Sequence, residues 1–501
     1  MAPPSLSSAP RRFDPVSYLL ANAARRPDAP AVFDAGREVT FQELADVVVG
    51  LVKHFREDGL GEGEPVAVHL PNRWEYVALE LAIPAAGGVI MPLPLNLGEA
   101  EKRWAMERSG ATRLLTAADL PPLFARLPPV GPAPATLRGD VPPLGRARRS
   151  LRAAYPPDLP SHPERTVEIA LTSGTTGMPK LASLSAKLKQ ATFEGFTSRL
   201  EVTEADRVLV MSPLTQGIGG MCLFCLRLGA GLIMLHEPRF TPEMVLRLAG
   251  EHRATMLVGV PTNVIRLLES SLLDPADLAG ARLTAVAGAP MPSEVAAAWE
   301  DRTGSKVCIF YGSMDAGQLS VGGPSDPRSK RHHTVGRPHE CCEVMITAEG
   351  EICMRGDTVQ ERYWGESHGP YAADGWVHMG DLGRLDEDGY LQVLGRLKDL
   401  IIRGGTNINP HEVEQALRRH PSVADVCVVG RPDRELGERA VAFVVARKAG
   451  DPPDLEHLRA FLDGEGMARY KWPEELRLVA EIPLSGPGKV DRKALQGLLL
   501  T

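Results

Sequence analysis

The chain has 501 residues, 44% hydrophobic and 24% charged, so it is long enough for several domains and has the composition of a globular protein. It carries 56 Lys and Arg residues against 63 Asp and Glu residues, a net charge of −7, and its basic patches are short, so nucleic acid is not an expected partner. Its start has no apolar leader and its most apolar later stretch is short, so we expect a cytoplasmic protein without a membrane span.

The first 120 residues alternate short apolar runs with longer segments of helical period. PVAVHL (65–70) and GVIMPL (88–93) are typical of strands, and Thr40 to Glu43 has the pattern of a capping box. One face of the helix that follows is apolar at Leu44, Val48, Leu51, Val52 and Phe55. This rhythm predicts an α/β fold with a doubly wound sheet.

A glycine-rich stretch follows a proline-rich connection of about 45 residues. EIALTSG (168–174) reads as a strand, and LTSGTTGMPK (171–180) overlaps its end, where open α/β sheets place ligands. Glycines let backbone N–H groups approach an anion, and hydroxyls and Lys180 add donors and charge, which favours a phosphate ligand over an ordinary turn. Pro179 and Leu181 stand where a P-loop needs glycine and a hydroxyl, so a P-loop ATPase is disfavoured.

The seven cysteines are odd in number and scattered, at positions 222, 225, 308, 341, 342, 353 and 427. They lie mostly inside apolar runs, so we expect reduced thiols that act as small core residues. Cys222 and Cys225 form the only spaced pair of the redox or zinc type. No second pair or flanking histidine supports that reading.

Five later stretches and the decapeptide resemble, in order, the motifs of the adenylate-forming superfamily, which includes acyl-CoA and aryl-CoA synthetases, nonribosomal peptide adenylation domains and beetle luciferases. The five are AGAPMP (287–292), YGSMDAG (311–317), GWVHMGDLG (375–383), GRLKDLIIRGGTNINPHEVE (395–414) and PLSGPGKVDR (483–492). The resemblance spans nearly the whole chain. It implies a large N-terminal domain of layered α/β subdomains, residues 1–397, and a small mobile α+β domain, residues 398–501.

The resemblance implies binding of ATP and Mg²⁺. Asp381 matches the aspartate that accepts both ribose hydroxyls, Arg396 matches an arginine near the ribose, and Tyr311 offers an aromatic face for adenine. A turn aspartate and a core tyrosine are the structural alternatives. Asp315 is the expected Mg²⁺ ligand, because this ion prefers carboxylate oxygen. The full set of expected nucleotide-binding residues is Thr172, Ser173, Gly174, Thr175, Thr176, Gly177, Gly288, Ala289, Tyr311, Gly312, Asp381 and Arg396.

Catalytic roles are expected for Lys489, Lys180, Gly405 and Lys398. Lys489 resembles the adenylation lysine, whose ammonium bridges the substrate carboxylate and the α-phosphate. Lys398 matches the family hinge, where the C-terminal domain rotates between an adenylating and a thioester-forming pose. Gly405 would then line a tunnel for a thiol, since any side chain would obstruct it; a turn before a helix is the structural reading of this glycine, and it is compatible with the tunnel role.

Small residues and one amide are expected around the substrate acid: Gln216, Gly217, Ile218, Gly312, Ser313 and Gly317. Such a surface suits a small aromatic acid. Relatives selective for dihydroxybenzoate place asparagine at the position of Gly217, which leaves benzoate or an aminobenzoate such as anthranilate. Two departures from the family are notable: Met314 replaces the threonine that contacts the α-phosphate, and Gln216 replaces a frequent histidine.

The expected partners are a small carboxylic acid, ATP and coenzyme A. No carrier-protein serine motif follows Lys489, so the thiol comes from CoA or from a separate carrier protein, and CoA is favoured. A non-catalytic nucleotide-binding relative is a further alternative, suggested by Met314 and Ala186. The retained Lys180 and Lys489, together with the two site aspartates, argue against it.

Overall fold

The structure is a computed structural model that describes residues 14–125, 162–172, 179–235, 240–314, 316–448, 450–485 and 489–499. The capping box predicted at the start of the second helix is present: Glu43 N–H donates to Thr40 Oγ1 over 3.2 Å, and Thr40 N–H donates to Glu43 Oε2 over 2.8 Å. The predicted apolar face of this helix is buried. Local pattern therefore suffices here to fix both the helix start and its orientation.

Two sheets form the N-terminal part. The smaller has, in spatial order, β5 (Arg113–Thr116), β3 (Pro65–His69), β4 (Val89–Pro92), β6 (Thr166–Leu171) and β7 (Leu181–Ser185). The larger has β14 (Arg337–Pro338), β13 (Gly317–Val321), β12 (Lys306–Ser313), β11 (Leu283–Val286), β10 (Met256–Gly259), β8 (Arg207–Val210), β9 (Gly231–Met234), β1 (Pro30–Asp34) and β2 (Arg37–Thr40). Adjacent strands are parallel in both interiors, and antiparallel pairs occur only toward the edges.

Helices cover both sheets. They are α1 (Pro15–Arg25), α2 (Phe41–Glu57), α3 (Trp74–Ala86), α4 (Glu99–Ser109), α5 (Leu120–Phe124), α6 (Ala186–Arg199), α7 (Gly217–Arg227), α8 (Pro242–Glu251), α9 (Pro261–Glu269), α10 (Ser293–Thr303) and α11 (Arg328–His333), with a 3-10 turn at Pro275–Leu278. The largest apolar core joins the sheets, because it contains Val66 of β3, Val208 of β8 and the inner faces of α2, α3, α6 and α7. Leu209 points to the opposite face and a second core, as strand alternation requires.

The remainder of the chain forms antiparallel β-structure and a C-terminal α+β unit. One sheet has β15 (Cys342–Ile346), β16 (Glu351–Gly356), β17 (Val377–Leu385) and β18 (Leu391–Arg396). The C-terminal sheet has β20 (Thr406–Ile408), β19 (Ile401–Arg403), β22 (Gly437–Ala446) and β21 (Val423–Asp433), with β23 (Glu475–Leu478) beside β22. It packs on α12 (Pro410–Arg418) and α13 (Leu455–Gly464), and β24 (Leu484–Ser485), β25 (Lys489–Val490) and α14 (Arg492–Gly497) complete it.

A one-turn 3-10 helix, Leu397–Asp399, separates β18 from the first C-terminal strand. The predicted domain boundary at Lys398 falls inside this exposed turn. A second such turn, Arg469–Lys471, precedes β23. Among the helices that the structure describes, none combines the length and the apolar character needed to cross a membrane.

The cysteines largely behave as predicted. Cys222, Cys225, Cys308, Cys353 and Cys427 are buried and unpaired, whereas Cys341 and Cys342 are only half-buried, so the core interpretation is wrong for these two neighbours. Burial raises the pKa of Cys225 to about 12 and that of Cys222 well above its usual value. A redox role for the Cys222–Cys225 pair is therefore not supported.

A cluster of ionisable side chains is largely buried between α3, α6 and β6. Lys189 of α6 contacts Glu168 of β6, and its Nζ is 3.5 Å from Glu80 Oε1 in α3. The Tyr76 hydroxyl donates to Glu80 over 3.3 Å. Burial outweighs the attraction of Lys189 and raises the pKa of Glu80 to about 7.

This raised pKa predicts a pH-dependent stability. The folded-state pKa of this carboxyl exceeds its unfolded value of about 4.5. The stability that the protonated carboxyl contributes is therefore fully present below pH 4.5 and is lost as the pH rises through about 7. We expect Glu80→Gln to flatten the decline in unfolding free energy between pH 5 and pH 8, by roughly 1–3 kcal/mol. Urea denaturation across this range measures it, with exposed Glu57→Gln as the control. Parallel curves for wild type and Glu80→Gln would contradict the prediction.

Candidate active site

Three of the predicted nucleotide-binding residues meet in one cluster. The Tyr311 hydroxyl donates to Asp381 Oδ2 over 2.6 Å, and Arg396 Nε lies 3.2 Å from Asp381 Oδ1. Asp381 of β17 and Arg396 of β18 are direct cross-strand partners. Burial and the charge of Asp381 raise the pKa of Tyr311 well above its usual value, so this hydroxyl stays a neutral donor. The cluster offers a carboxylate, a cation and an aromatic ring on one surface.

Backbone features hold this cluster. Gly380, just before Asp381, has φ +67, and its N–H donates to Glu351 Oε1 over 3.0 Å. Glu351 begins the neighbouring strand β16, so it ties the turn that carries Asp381 to the sheet. Asp381 itself is only 8% exposed. Its carboxylate is therefore held in place before any ligand binds.

The two ends of the glycine-rich loop are joined by hydrogen bonds. Thr172 N–H donates to Lys180 O over 2.9 Å, and Lys180 N–H donates to Thr172 Oγ1 over 3.3 Å. The Lys180 ammonium lies 4.5 Å from the ring centre of Tyr363 and donates to its hydroxyl over 3.3 Å. Tyr363 was not predicted, because it lies outside every motif. The residues at 173–177 and Asp315, all predicted site residues, fall outside the described ranges.

The predicted acid-binding and nucleotide-binding glycines are neighbours in space. A Cβ added to Gly288 would lie 3.0 Å from Ile218 Cδ1, and one added to Gly217 would lie 2.8 Å from Met314 Sδ. Gln216 is the N-cap of α7, so Gly217 and Ile218 form its first turn. Ala289 follows Gly288 on the connection after β11. Gly217 and Met314, the latter a departure from the family pattern, thus occupy complementary space.

The hairpin of β12 and β13 carries the other three predicted acid-binding residues. Gly312 pairs with Gln318 and Ser313 pairs with Gly317. Gly317 has φ +92, and an added Cβ would overlap Thr358 O, so its backbone environment requires glycine. The Ser313 hydroxyl accepts from Ala316 N–H over 3.0 Å. These residues shape the end of the hairpin, and their contact with the acid remains a prediction.

A buried polar pair beside this hairpin was missed from sequence. His339 Nε2 lies 2.9 Å from Gln318 Oε1, and Gln318 Nε2 lies 3.7 Å from Met221 Sδ. Both residues are buried, and an added Cβ at Gly195 of α6 would overlap the imidazole. Burial and then the charge of Arg199 lower the pKa of His339 to about 4, so it is neutral. No sequence signal links these distant positions.

The protonation of this pair follows from its partners. His339 Nδ1 is buried without a hydrogen-bond partner among the described residues. A buried N–H without an acceptor costs more than a vacant lone pair, so the proton resides on Nε2 and is donated to Gln318 Oε1. The Gln318 amide N–H₂ then points toward Met221, one turn beyond Ile218 on α7. Among the residues that the structure describes, this strong donor therefore faces a thioether, which is a weak acceptor.

The predicted thiol-tunnel glycine lies at a hairpin tip, a turn that precedes the short strand β20 and then α12, and its role in the tunnel stays a prediction. Gly404 and Gly405, with φ +56 and +79, form the two-residue turn between β19 and β20, which requires positive φ at both positions. Arg403, next to this turn, lines a cavity of about 570 Å³ in the C-terminal unit. The cavity is lined by Arg403, Glu456, Arg459, Ala460, Asp463, Arg469, Tyr470, Trp472 and Glu474.

The segment that carries Lys489 is anchored to the C-terminal unit. Lys489 begins β25, which pairs with β24, and its side chain lies outside the described part of the structure. Arg492, three residues later, places Nη2 2.7 Å from Glu414 Oε1 and Nε 3.3 Å from Asp399 Oδ2. Asp399 adjoins Lys398 in the exposed turn, so one arginine connects this segment, α12 and the predicted hinge.

Comparison with known proteins agrees with this arrangement. Residues 19–364 match the family described as AMP-binding enzyme, and residues 412–489 match its C-terminal domain. A sulfoacetate–CoA ligase of Cupriavidus necator is 32% identical over 97% of this chain and 98% of its own length. A feruloyl-CoA synthase of an Amycolatopsis species is 32% identical, over 95% and 96%. ATP-bound MatB from Rhodopseudomonas palustris is 25% identical, covers 97% of this chain and 99% of its own, and has a TM-score of 0.80.

The fold and the site define an adenylate-forming enzyme. The chain belongs to the AMP-binding enzyme family, because the family model and its C-terminal-domain model together match most of its length. This confirms the resemblance noted from the motifs and the predicted mixed α/β fold class. It also confirms an enzyme of the AMP-forming acid–thiol ligase class.

Proposed function

We propose that the protein is an AMP-forming acid–CoA ligase that activates a small aromatic carboxylic acid. The observation that carries the proposal is the cluster of Tyr311, Asp381 and Arg396, which presents a fixed carboxylate and a cation beside an aromatic ring. Such a surface suits a ribose with its base and an anionic phosphate. The CoA ligases among the relatives support the same reaction.

The reaction has two steps. The substrate carboxylate attacks the α-phosphate of ATP, so a carboxyl oxygen–phosphorus bond forms and pyrophosphate leaves. The CoA thiol then attacks the acyl carbon, loses its proton to solvent and expels AMP. Asp381 holds the ribose hydroxyls, and Lys180 and Lys489 supply positive charge where negative charge accumulates. Mg²⁺, when bound, neutralises phosphate charge; the carboxylate type of Asp315 suits this hard ion.

Two further residues act between these steps in this proposal. The C-terminal unit, residues 398–501, rotates about Lys398 and replaces Lys489 with Gly405 at the acid site. The contacts of the present pose cross that hinge: Asn409 of the C-terminal unit donates to Leu394 O over 2.7 Å. This bond joins segments on either side of the hinge, so in this proposal its strength biases which pose, and hence which half-reaction, is favoured.

The cavity beside Gly405 supports CoA as the acceptor. Its three arginines, Arg403, Arg459 and Arg469, are each paired with an acidic lining residue, and Tyr470 and Trp472 supply aromatic faces suited to stacking on an adenine. A carrier protein would present a pantetheine thiol without an adenine nucleotide. The two aromatic faces thus favour free CoA over the carrier-protein alternative.

The acid pocket favours an aromatic acid that bears an acceptor. Met314 Sδ occupies the apolar space next to Gly217, and the Gln318 amide directs an N–H toward Met221 on the same helix as Gly217. A hydroxyl, methoxy or carbonyl oxygen on the ring would accept this N–H. The feruloyl-CoA synthase among the relatives is named for an aromatic acid. Benzoate and aminobenzoates such as anthranilate lack that oxygen and serve as comparison substrates.

Acid-dependent exchange of pyrophosphate into ATP tests the function. We expect exchange with one or more aromatic acids in a panel that also contains fatty, amino and sulfonated acids. AMP and an acyl-CoA should follow when CoA is added, with no ADP. A protein that binds ATP but is silent with every acid would be the non-catalytic alternative, and transfer only to a phosphopantetheinyl carrier would replace CoA as acceptor.

Gln318→Leu tests the acid specificity. The variant removes the buried donor and also the acceptor of the His339 N–H, a cost shared by all acids, so we expect the kcat/KM for ring acids with an acceptor oxygen to fall about 10- to 100-fold relative to that for benzoate. Gln415→Leu, on the exposed face of α12, is the matched control. An equal loss for all acids would show that Gln318 is needed only for folding of the hairpin.

A further inference from the structure

Three potential metal ligands meet on β16 and on β17, the strand that also carries Asp381. Cys353 of β16 and His378 of β17 are direct cross-strand partners, and Sγ lies 3.5 Å from Nδ1. Glu351, two residues before Cys353, projects to the same face of the sheet because side chains alternate along a strand. Its Oε2 lies 2.8 Å from His378 Nδ1. The three ligand atoms all lie within 4.8 Å of one another.

We propose that Glu351, Cys353 and His378 form a binding site for a divalent cation of the zinc type, an activity separate from acid–CoA ligation. Zinc bonds of about 2.0–2.3 Å at tetrahedral angles set ligand atoms roughly 3.4–3.6 Å apart. The 3.5 Å between Sγ and Nδ1 already has this value. The 2.8 Å between Nδ1 and the carboxylate needs to widen by less than about 1 Å.

The surrounding hydrogen bonds are those of a metal-binding histidine. His378 Nε2 lies 3.1 Å from Asp374 Oδ2, so the ring donates its second N–H to a carboxylate and leaves Nδ1 to a cation. The second oxygen of Glu351 accepts from Gly380 N–H over 3.0 Å, which orients the first oxygen. Both outer ligating groups are thus held by further partners, as in carboxylate–histidine–metal sites.

The donor set selects the ion. A thiolate and an imidazole suit zinc, cobalt or cadmium, whereas Mg²⁺ prefers oxygen ligands throughout. Binding displaces the Cys353 thiol proton and the Nδ1 proton to solvent, and no electron is transferred. Cys353 is fully buried and His378 is exposed, so the ion enters from the histidine side and a water completes its shell.

The cation would act on the nucleotide site through Glu351. This residue joins the proposed ligands to Gly380, and Gly380 precedes Asp381. A bound ion therefore fixes the turn that carries the ribose carboxylate by connecting β16 to β17. The site and the ATP site are separable, because none of Glu351, Cys353 and His378 belongs to the nucleotide cluster.

Anaerobic titration of the full-length, metal-free protein with Co²⁺ tests the proposal. We expect one equivalent to give the near-ultraviolet thiolate-to-cobalt band and the visible bands of a tetrahedral site, and Zn²⁺ but not Mg²⁺ to abolish them. Cys353→Ser and His378→Gln should weaken Co²⁺ affinity by on the order of 100-fold or more. Asp374→Asn should weaken the Co²⁺ affinity about 10- to 100-fold. Because Asp374 is exposed and is not itself a ligand, this variant still tests the site if a ligand variant fails to fold.

The control is the half-buried pair of thiols at Cys341 and Cys342. Replacing both with serine should leave the first equivalent of Co²⁺ and its thiolate band unchanged. The proposal is overturned if that replacement removes the band, or if Cys353→Ser retains it. Since these measurements need neither ATP nor an acid, their outcome is independent of whether the proposed ligase activity is found.

Discussion

Asp381→Asn is expected to raise the KM for ATP by about 100-fold in pyrophosphate exchange. The carboxylate is fixed by Tyr311 over 2.6 Å and by Arg396 over 3.2 Å, and in the proposed function it accepts both ribose hydroxyls. Hydrogen bonds to a charged acceptor contribute about 1.5–3 kcal/mol each, so loss of that charge on two hydroxyls reaches 100-fold. The carboxamide also presents an N–H₂ that repels Arg396 or one hydroxyl.

Two matched variants separate this role from a structural one. Tyr311→Phe keeps the ring and removes one donor to Asp381, and we expect an effect of about tenfold or less. Asp388→Asn lies in the exposed turn between β17 and β18, where its ion pair with Lys330 contributes little, and should leave the KM unchanged. If Asp381→Asn lowers the melting temperature and leaves the KM for ATP as in wild type, the aspartate only stabilises the turn.

The predicted site residues that the structure brings together belong to contiguous motifs. Asp381 and Arg396 lie 15 residues apart, yet strand pairing makes them direct partners, and the glycine before each is part of the motif. The same holds for the capping box at Thr40, which needs only residues three apart. In these places local chemistry and the final geometry coincide.

Residues whose roles depend on the register of distant segments were not predicted. His339 and Gln318 meet only because Gly195, far earlier in the chain, leaves room for the imidazole. Cys353 reads as a core thiol from its apolar neighbours. Its opposition to His378 follows from the pairing of β16 with β17, which a shift of one residue would abolish. Both contacts depend on how distant segments of the chain are aligned with each other, which the local sequence pattern does not reveal.

Lys489→Ala is expected to have the largest effect on one half-reaction only. In the proposed function its ammonium bridges the substrate carboxylate and the α-phosphate, where negative charge concentrates as the adenylate forms. Removing such a group costs on the order of 10²–10³-fold in rate, so acid-dependent pyrophosphate exchange should fall by at least that factor. After the hinge rotates, Gly405 and not Lys489 faces the acid site. Thioester formation from a synthetic acyl-adenylate and CoA should therefore stay within about threefold of wild type.

The structure supplies the control for this experiment. Lys493 is exposed one position after Arg492, on the same anchored segment, so Lys493→Ala changes the charge by the same amount and should leave both steps unaltered. Arg492→Ala instead releases the segment from Glu414 and Asp399, and we expect it to slow both steps because it loosens the unit that must reorient. Equal losses in the two steps for Lys489→Ala would show that this lysine, like Arg492, only anchors the C-terminal unit. They would contradict the proposal that the two poses catalyse different steps.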